Sequence, residues 1–108
     1  MNTGSENVIK KNLTGKQKSF LRSMGMTEEV VVQIGKEGVT PTVVTSAREA
    51  IKKRELIKVK VLQNSPEEPK DAIETLADRT DAELVQLIGR CGLLYKKNQE
   101  KPKIELPK

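Results

Sequence analysis

The chain has 108 residues, 35% of them apolar and 32% charged, with a formal net charge of +5 and a pI near 9.4. That is enough for a single domain with a modest core, and no apolar run approaches the ~20 residues that a membrane-spanning helix needs, so the cytoplasm is the expected location. Histidine is absent and Cys91 is the one cysteine, which excludes internal disulfides, Cys/His zinc sites and catalysis that relies on a histidine base; the chain reads as a non-enzyme without metal or cofactor.

Residues 1–12 are polar, have little periodicity and lack the apolar centre of a signal peptide, so they read as a flexible leader. Thr14-Gly15-Lys16-Gln17 fits a capping box, in which the threonine and glutamine side chains each satisfy a free N–H at a helix start. Leu13, Phe20, Leu21 and Met24 follow at helical spacing and Gly25 is a natural stop, which predicts a helix over about 14–24. Its polar faces carry Lys16, Lys18 and Arg22, and no acidic residue in the stretch neutralises them.

Val30–Ile34 is a short β-branched run that predicts a buried strand. Gly35-Lys36-Glu37-Gly38 breaks it, and Thr40 followed by Pro41 starts a helix: the hydroxyl accepts a free N–H, while proline needs no partner at the first helical position. Strand, glycine-bracketed loop and helix in that order suit a phosphate. The glycines let the backbone turn sharply and approach a ligand, and the helix start directs free N–H groups and a positive dipole end outward. A lone G-x-x-G is also what any tight connection favours, so the reading rests on what surrounds it.

The second helix is predicted from Pro41 to about Lys53. Val43, Val44, Ala47, Ala50 and Ile51 form its apolar stripe, and Arg48, Lys52, Lys53 and Arg54 crowd the remaining surface, where the last of them also complement the helix dipole. Leu56–Leu62 alternates, turning Ile57, Val59 and Val61 inward and Lys58 and Lys60 outward. Without interleaved aromatics on which bases could stack, these two lysines are assigned to solvent. Ser65-Pro66-Glu67-Glu68 reads as a second capping box opening a third helix, whose first turn Pro69 makes irregular so that an effective start a few residues later is also open; its buried stripe is Ala72, Ile73, Leu76 and Ala77 and its acidic outer face Asp71, Glu74 and Asp78. Glu83–Ile88 and Leu93–Lys96 read as a hairpin joined through Gly89-Arg90-Cys91-Gly92, a second G-x-x-G assigned to turn geometry, with Cys91 a small buried hydrophobe. Residues 98–108 form a basic tail in which Ile104 and Leu106 alternate, so docking as an extended edge segment is expected.

The string α-β-α-β-α-β-β predicts one α/β domain over residues 13–97, a mixed four-stranded sheet packed with three helices. Residues 65–83 hold seven acidic and two basic side chains, leaving net +10 on the rest of the chain. Such segregation suggests a cationic face turned to a polyanion and an acidic third helix, Glu67 included, turned away.

The succession Leu13-Thr14-Gly15-Lys16-Gln17, Gln33-Ile34-Gly35-Lys36-Glu37-Gly38, Arg54-Glu55-Leu56-Ile57-Lys58-Val59, Glu83-Leu84-Val85-Gln86-Leu87-Ile88-Gly89 and Leu94-Tyr95-Lys96 closely resembles the CRM domain family, specifically its small stand-alone bacterial YhbY-like members. Pro102-Lys103-Ile104-Glu105-Leu106-Pro107 is similar to the family's tail. The resemblance implies RNA binding, bacterial members being associated with precursors of the large ribosomal subunit, and a fold similar to the C-terminal domain of translation initiation factor three. It also implies that Gly35–Gly38 is the family's G-x-x-G loop, likened to that of KH domains.

The expected partner is therefore RNA, ribosomal RNA or precursor particles of the large subunit, bound by a monomer. The candidate RNA-binding residues are Gly35, Lys36, Gly38 and Thr40 at the loop, Lys16, Lys18 and Arg22 on the first helix, Arg48, Lys52, Lys53 and Arg54 on the second, and Lys96. Glu37 stands where family members usually have glycine or a small, often polar residue, so it is expected to point outward. Two other readings remain: a protein-interaction module on ribosomal particles using the acidic third helix, and a small phosphate-handling enzyme, against which stands the missing G-x-x-x-x-G-K-[ST] signature.

Overall fold

The computed structural model describes residues 13–98 and 100–107, so the leader expected at residues 1–12 lies outside them. The element order is α1 (Gly15–Gly25), β1 (Val30–Ile34), α2 (Pro41–Arg54), β2 (Leu56–Val61), α3 (Pro69–Thr80), β3 (Glu83–Ile88) and β4 (Cys91–Tyr95). The strands form one mixed sheet in the order β1-β2-β4-β3. β1 runs parallel to β2, while β4 is antiparallel to both β2 and β3. The α/β class read from the sequence is the class observed.

Strand alternation splits the apolar residues between two cores. Ile57, Val59 and Val61 join Val32, Ile34 and Leu94 under α2 and α3. On the opposite face Leu56, Val85, Leu93 and Tyr95 pack with Leu21 of α1, flanked by Leu13, Met24, Ile104 and Leu106. Each fully buried aliphatic side chain contributes about 1.5–3 kcal/mol, against about 0–1 kcal/mol for an exposed ion pair, so the two apolar faces fix where the helices sit.

α1 starts as expected: Thr14 Oγ1 accepts from the Gln17 amide and Gln17 Oε1 accepts from the Thr14 amide, each at 3.1 Å. The capping box expected at Ser65 does not form. α3 begins at Pro69, with Glu68 as an N-cap whose side chain makes no cap hydrogen bond. A helix capped by Ser65 would need the fourth helical residue to donate to the Ser65 carbonyl, and that residue is Pro69, which has no N–H. The Ser65 hydroxyl instead accepts from the Glu67 amide at 3.3 Å.

The hairpin also differs from expectation, because β4 begins at Cys91 and the turn is only Gly89 and Arg90. Gly89 takes the turn's positive φ of 57°. Gly92 is a strand residue on which a Cβ would come within 2.8 Å of Ile73 Cγ2 and Cδ1, so its role is close packing against α3. Cys91 is half-buried, not buried.

Between α2 and β2 there is a single residue, Glu55, at φ 67° and ψ −41°. A non-glycine residue there costs on the order of 1 kcal/mol or more. Its side chain, completely buried, supplies the compensation. Oε2 accepts from the Asn98 amide at 2.6 Å, and Oε1 accepts from the Lys103 and Ile104 amides at 2.9 and 2.7 Å. The tail is thus folded around a carboxylate. It is further tied by Asn98 Nδ2 donating to the Lys52 carbonyl and Gln17 Nε2 donating to the Pro107 carbonyl, each at 3.0 Å. Docking occurs on the α1 side of the sheet through Ile104 and Leu106, not as the edge segment expected; residues 100–107 form no strand.

Beside this clamp the Tyr95 hydroxyl is buried and has no hydrogen-bond partner among the described residues. Burial, and then the Glu55 carboxylate, push its pKa above the ordinary 10.0. A raised folded-state value favours the neutral phenol, so this stability is present below the unfolded pKa and is lost as pH rises through the higher folded one. Tyr95→Phe removes a partnerless hydroxyl and should leave the melting temperature at neutral pH equal or slightly higher. It should also lessen the loss of stability above about pH 10, as melts of both proteins across the alkaline range will show.

Candidate nucleic-acid interface

The G-x-x-G loop leaves the C-terminal end of β1 and enters α2. Gly38 N–H donates to the Gly35 carbonyl at 3.0 Å, closing a turn with Lys36 and Glu37 at its exposed tip. The Leu62 amide donates to the Ile34 carbonyl at 2.8 Å and ties the loop base to the end of β2. Thr40 caps α2 as expected, its Oγ1 accepting from the Val43 amide at 3.1 Å, with Pro41 next. Among the described residues, the Lys36, Glu37 and Thr42 amides donate to no other group. Three free amides, the Lys36 ammonium and the positive end of a 14-residue helix therefore meet at this end of the sheet. Such an arrangement suits an anion.

The two glycines are not equivalent. Gly38 has φ +74°, and a Cβ there would stand 3.1 Å from Glu67 Oε1 and 3.6 Å from Pro66 Cγ. Gly35 has no positive φ, and its Cβ would meet only Leu62 Cδ1 at an ordinary 3.8 Å. Gly38 is required by the backbone, whereas Gly35 is free to serve close approach.

Glu67 was expected to face away with the rest of the acidic segment, and its position corrects that. The residue precedes α3 and folds back against the loop, while Asp71, Glu74 and Asp78 lie exposed along the helix. Glu37 is exposed, as expected. A carboxylate beside the loop opposes any incoming phosphate, so Glu67→Gln should raise affinity for a polyanion, modestly and most visibly at low salt. Titrations of both proteins with one RNA at two ionic strengths will measure it.

The remaining candidate cations do not converge on the loop. α1 lies on the opposite face of the sheet from α2, which separates Lys16, Lys18 and Arg22 from the second helix; Lys18 Nζ reaches Glu83 Oε2 at 4.0 Å. Arg48 Nη2 donates to the Arg79 carbonyl at 2.9 Å and so ties α2 to the end of α3. Lys52, Lys53 and Arg54 stand at the far end of α2, roughly 20 Å from the loop at 1.5 Å per residue. There Arg54 Nη1 lies 3.9 Å from Glu28 Oε1, and Lys96 Nζ 4.0 Å from Asp81 Oδ2. These exposed pairs are weak enough to open for a ligand. With Lys97, the side chains of Arg48, Lys52 and Lys96 border a cavity of about 380 Å³.

Sequence reasoning missed Arg90. Its Nη1 donates to the Val61 and Leu62 carbonyls at 3.4 and 3.2 Å, which places a cation at the end of β2 beside the loop base. In the sequence Arg90 belongs only to a hairpin turn, and the strand order is what brings it beside the loop base. Among the described residues no group of three or more Cys, Asp or Glu side chains could hold a metal ion, and no helix is long and apolar enough to cross a membrane.

A family model described as the CRS1 / YhbY (CRM) domain matches residues 13–96. The chain belongs to this family. The CRM match takes in all seven elements and both cores except the tail. This CRM chain is 46% identical over 95 residues to the probable RNA-binding protein YqeI of Bacillus subtilis, covering 88% of this chain and 99% of the relative. It is 36% identical over 96 residues to an RNA-binding protein of Haemophilus influenzae, covering 89% and 96%. The solution structure of the hypothetical protein SAV1595 from Staphylococcus aureus superposes with a TM-score of 0.74 at 43% identity, covering 89% of this CRM chain and all of that one.

Proposed function

We propose that this chain binds RNA without catalysing a reaction on it, and that as a cytoplasmic monomer it assists assembly of the large ribosomal subunit on ribosomal RNA. The observation that carries the reading is the loop, where three amides unpaired among the described residues, Lys36 and the start of α2 offer an anion site on a chain whose relatives are named as RNA-binding proteins. Phosphate held there positions the strand, and the cations of α1 and α2 extend contact along the backbone. The chain has one Tyr, one Phe and no Trp, so recognition rests on backbone charge and RNA shape more than on stacking.

The experiment is a titration of a structured large-subunit RNA fragment from low to high salt. Log affinity should fall with log salt by about 0.7 per single-strand phosphate contact. Lys36→Ala should flatten that slope, and a flat slope in the parent chain would rule out the electrostatic reading. Co-sedimentation with large-subunit precursors tests the assembly role. The exposed acids of α3 favour a second reading, a protein contact on the same particles; a nuclease-treated pull-down separates the two, because only a protein partner survives it.

A further inference from the structure

Among the described residues, the two faces of the sheet are not equally covered. α2 and α3 close one face, whereas on the other α1 and the tail gather over Leu56, Val85, Leu93 and Tyr95. Beyond them, towards the loop, the register sets Gln33, Lys60, Cys91 and Ile88 in one cross-strand row. Lys58 and Gln86 flank Leu93 nearby. Alternation places all of these on the α1 side, since their neighbours Val32, Val59, Val61 and Leu87 belong to the other core. Gln33 and Lys60 are exposed, and Ile88 is 64% exposed. Met26, 82% exposed at the end of α1, forms one wall of a groove of about 270 Å³ floored by Leu93 and Cys91 and bordered by Lys58, Gln86 and Ile88.

The chemistry of that groove is mixed in a particular way. Its floor and one wall are apolar, its polar borders are an ammonium and a carboxamide, and none of its lining residues is acidic. A base presents an apolar face and hydrogen-bonding edges joined to a phosphate, and methionine adapts its shape to such a surface. Lys58 and Lys60 have no ion pair among the described residues. Gln33 is also only two residues before Gly35, about 7 Å along a strand, so the row adjoins the anion site at the loop.

We infer that this open half of the sheet is a single-stranded RNA subsite, occupied by the nucleotide next to the one held at the loop. Its base lies on the exposed Ile88 and Met26, which stand in for the aromatics the sheet lacks, and Lys58 and Lys60, assigned to solvent from the sequence alone, take the flanking phosphates. The inference rests on the reading of the chain as an RNA-binding protein, and the test keeps the two apart.

Cys91 is the chain's single cysteine and is half-exposed in this row, so its alkylation by a small thiol reagent reports cover over the face. The rate is followed by mass spectrometry in the full chain, free and saturated with an unstructured oligouridine or with a duplex of equal length. The single strand should slow alkylation several-fold and the duplex should not. Lys60→Glu and Lys58→Glu/Lys60→Glu, checked by thermal melts, should lose the protection, the double variant also binding about tenfold more weakly. RNA bound in a gel shift while Cys91 reacts at its free rate overturns the subsite and leaves RNA binding standing. Equal protection in a folded double variant overturns it too, as does protection by RNA-free large-subunit proteins but not by RNA. Failure of any RNA to bind removes both readings.

Discussion

Glu55→Ala is expected to be the most damaging single substitution outside the apolar cores, lowering stability by about 3–5 kcal/mol, because it removes a buried carboxylate from three backbone donors. Against a total of about 5–15 kcal/mol for a domain, that is a large fraction. The Asn98, Lys103 and Ile104 amides would lose their acceptor, and Ile104 and Leu106 would leave the α1 side. Glu55→Gln is the gentler comparison. It keeps one oxygen for Lys103 and Ile104, whose donors share Oε1, but sets an NH2 group against the Asn98 amide where Oε2 stood. Its cost should be about 1–2 kcal/mol. Denaturant melts give the two values, and amide hydrogen exchange should show Asn98 losing protection before Ile104. Equal stability of Glu55→Ala and the parent would mean that the clamp contributes nothing.

Lys36→Glu should weaken RNA binding by about tenfold or more, each tenfold being about 1.4 kcal/mol, since it reverses the one cation at the loop tip. Gly35→Asp should do likewise by placing a carboxylate at the proposed phosphate site. Both variants should fold, because Lys36 is exposed and a Cβ at Gly35 meets only Leu62 at 3.8 Å. Gly38 gives a less clean test: a side chain there needs positive φ and pushes on Glu67, so any loss would mix strain with charge. Binding titrations paired with melts decide the matter, and parent-like affinity in both folded variants would reduce the loop to a turn.

What the residues disclosed in advance were the features governed by near neighbours. The Thr14–Gln17 box, the Thr40-Pro41 start and the alternation of Ile57, Val59 and Val61 each depend on contacts within a few positions, and each appears where its spacing placed it. At the third helix two local signals conflict, the Ser65 motif and the missing N–H of Pro69, and the proline prevails. Other features depend on distant partners. Glu55 is satisfied by amides 43 to 49 positions away, and nothing local marks an acidic residue as buried. Glu67 meets the loop only because the segment before α3 folds back on it. The division of cations between two faces follows from the side of the sheet that α1 covers, which spacing along a helix does not specify.

The order β1-β2-β4-β3 puts β1 and β3 at the rims, where among the described residues no further strand pairs with either. In the central β2–β4 ladder the register runs without interruption, whereas the pairings of β1 and β3 both contain a shift, between Val30 and Val32 and between Leu84 and Gln86. Irregularity is thus confined to the ladders that involve a rim. A strand from another molecule that tried to extend the sheet would meet a short run of donors and acceptors close to a break in spacing, which is how β proteins commonly resist edge-to-edge growth. For a chain with few aromatics and a modest core, that resistance matters when it is crowded by copies of itself. Mutations that straighten either ladder should therefore be judged first by light scattering, since their cost would fall on aggregation before it reached the melting temperature.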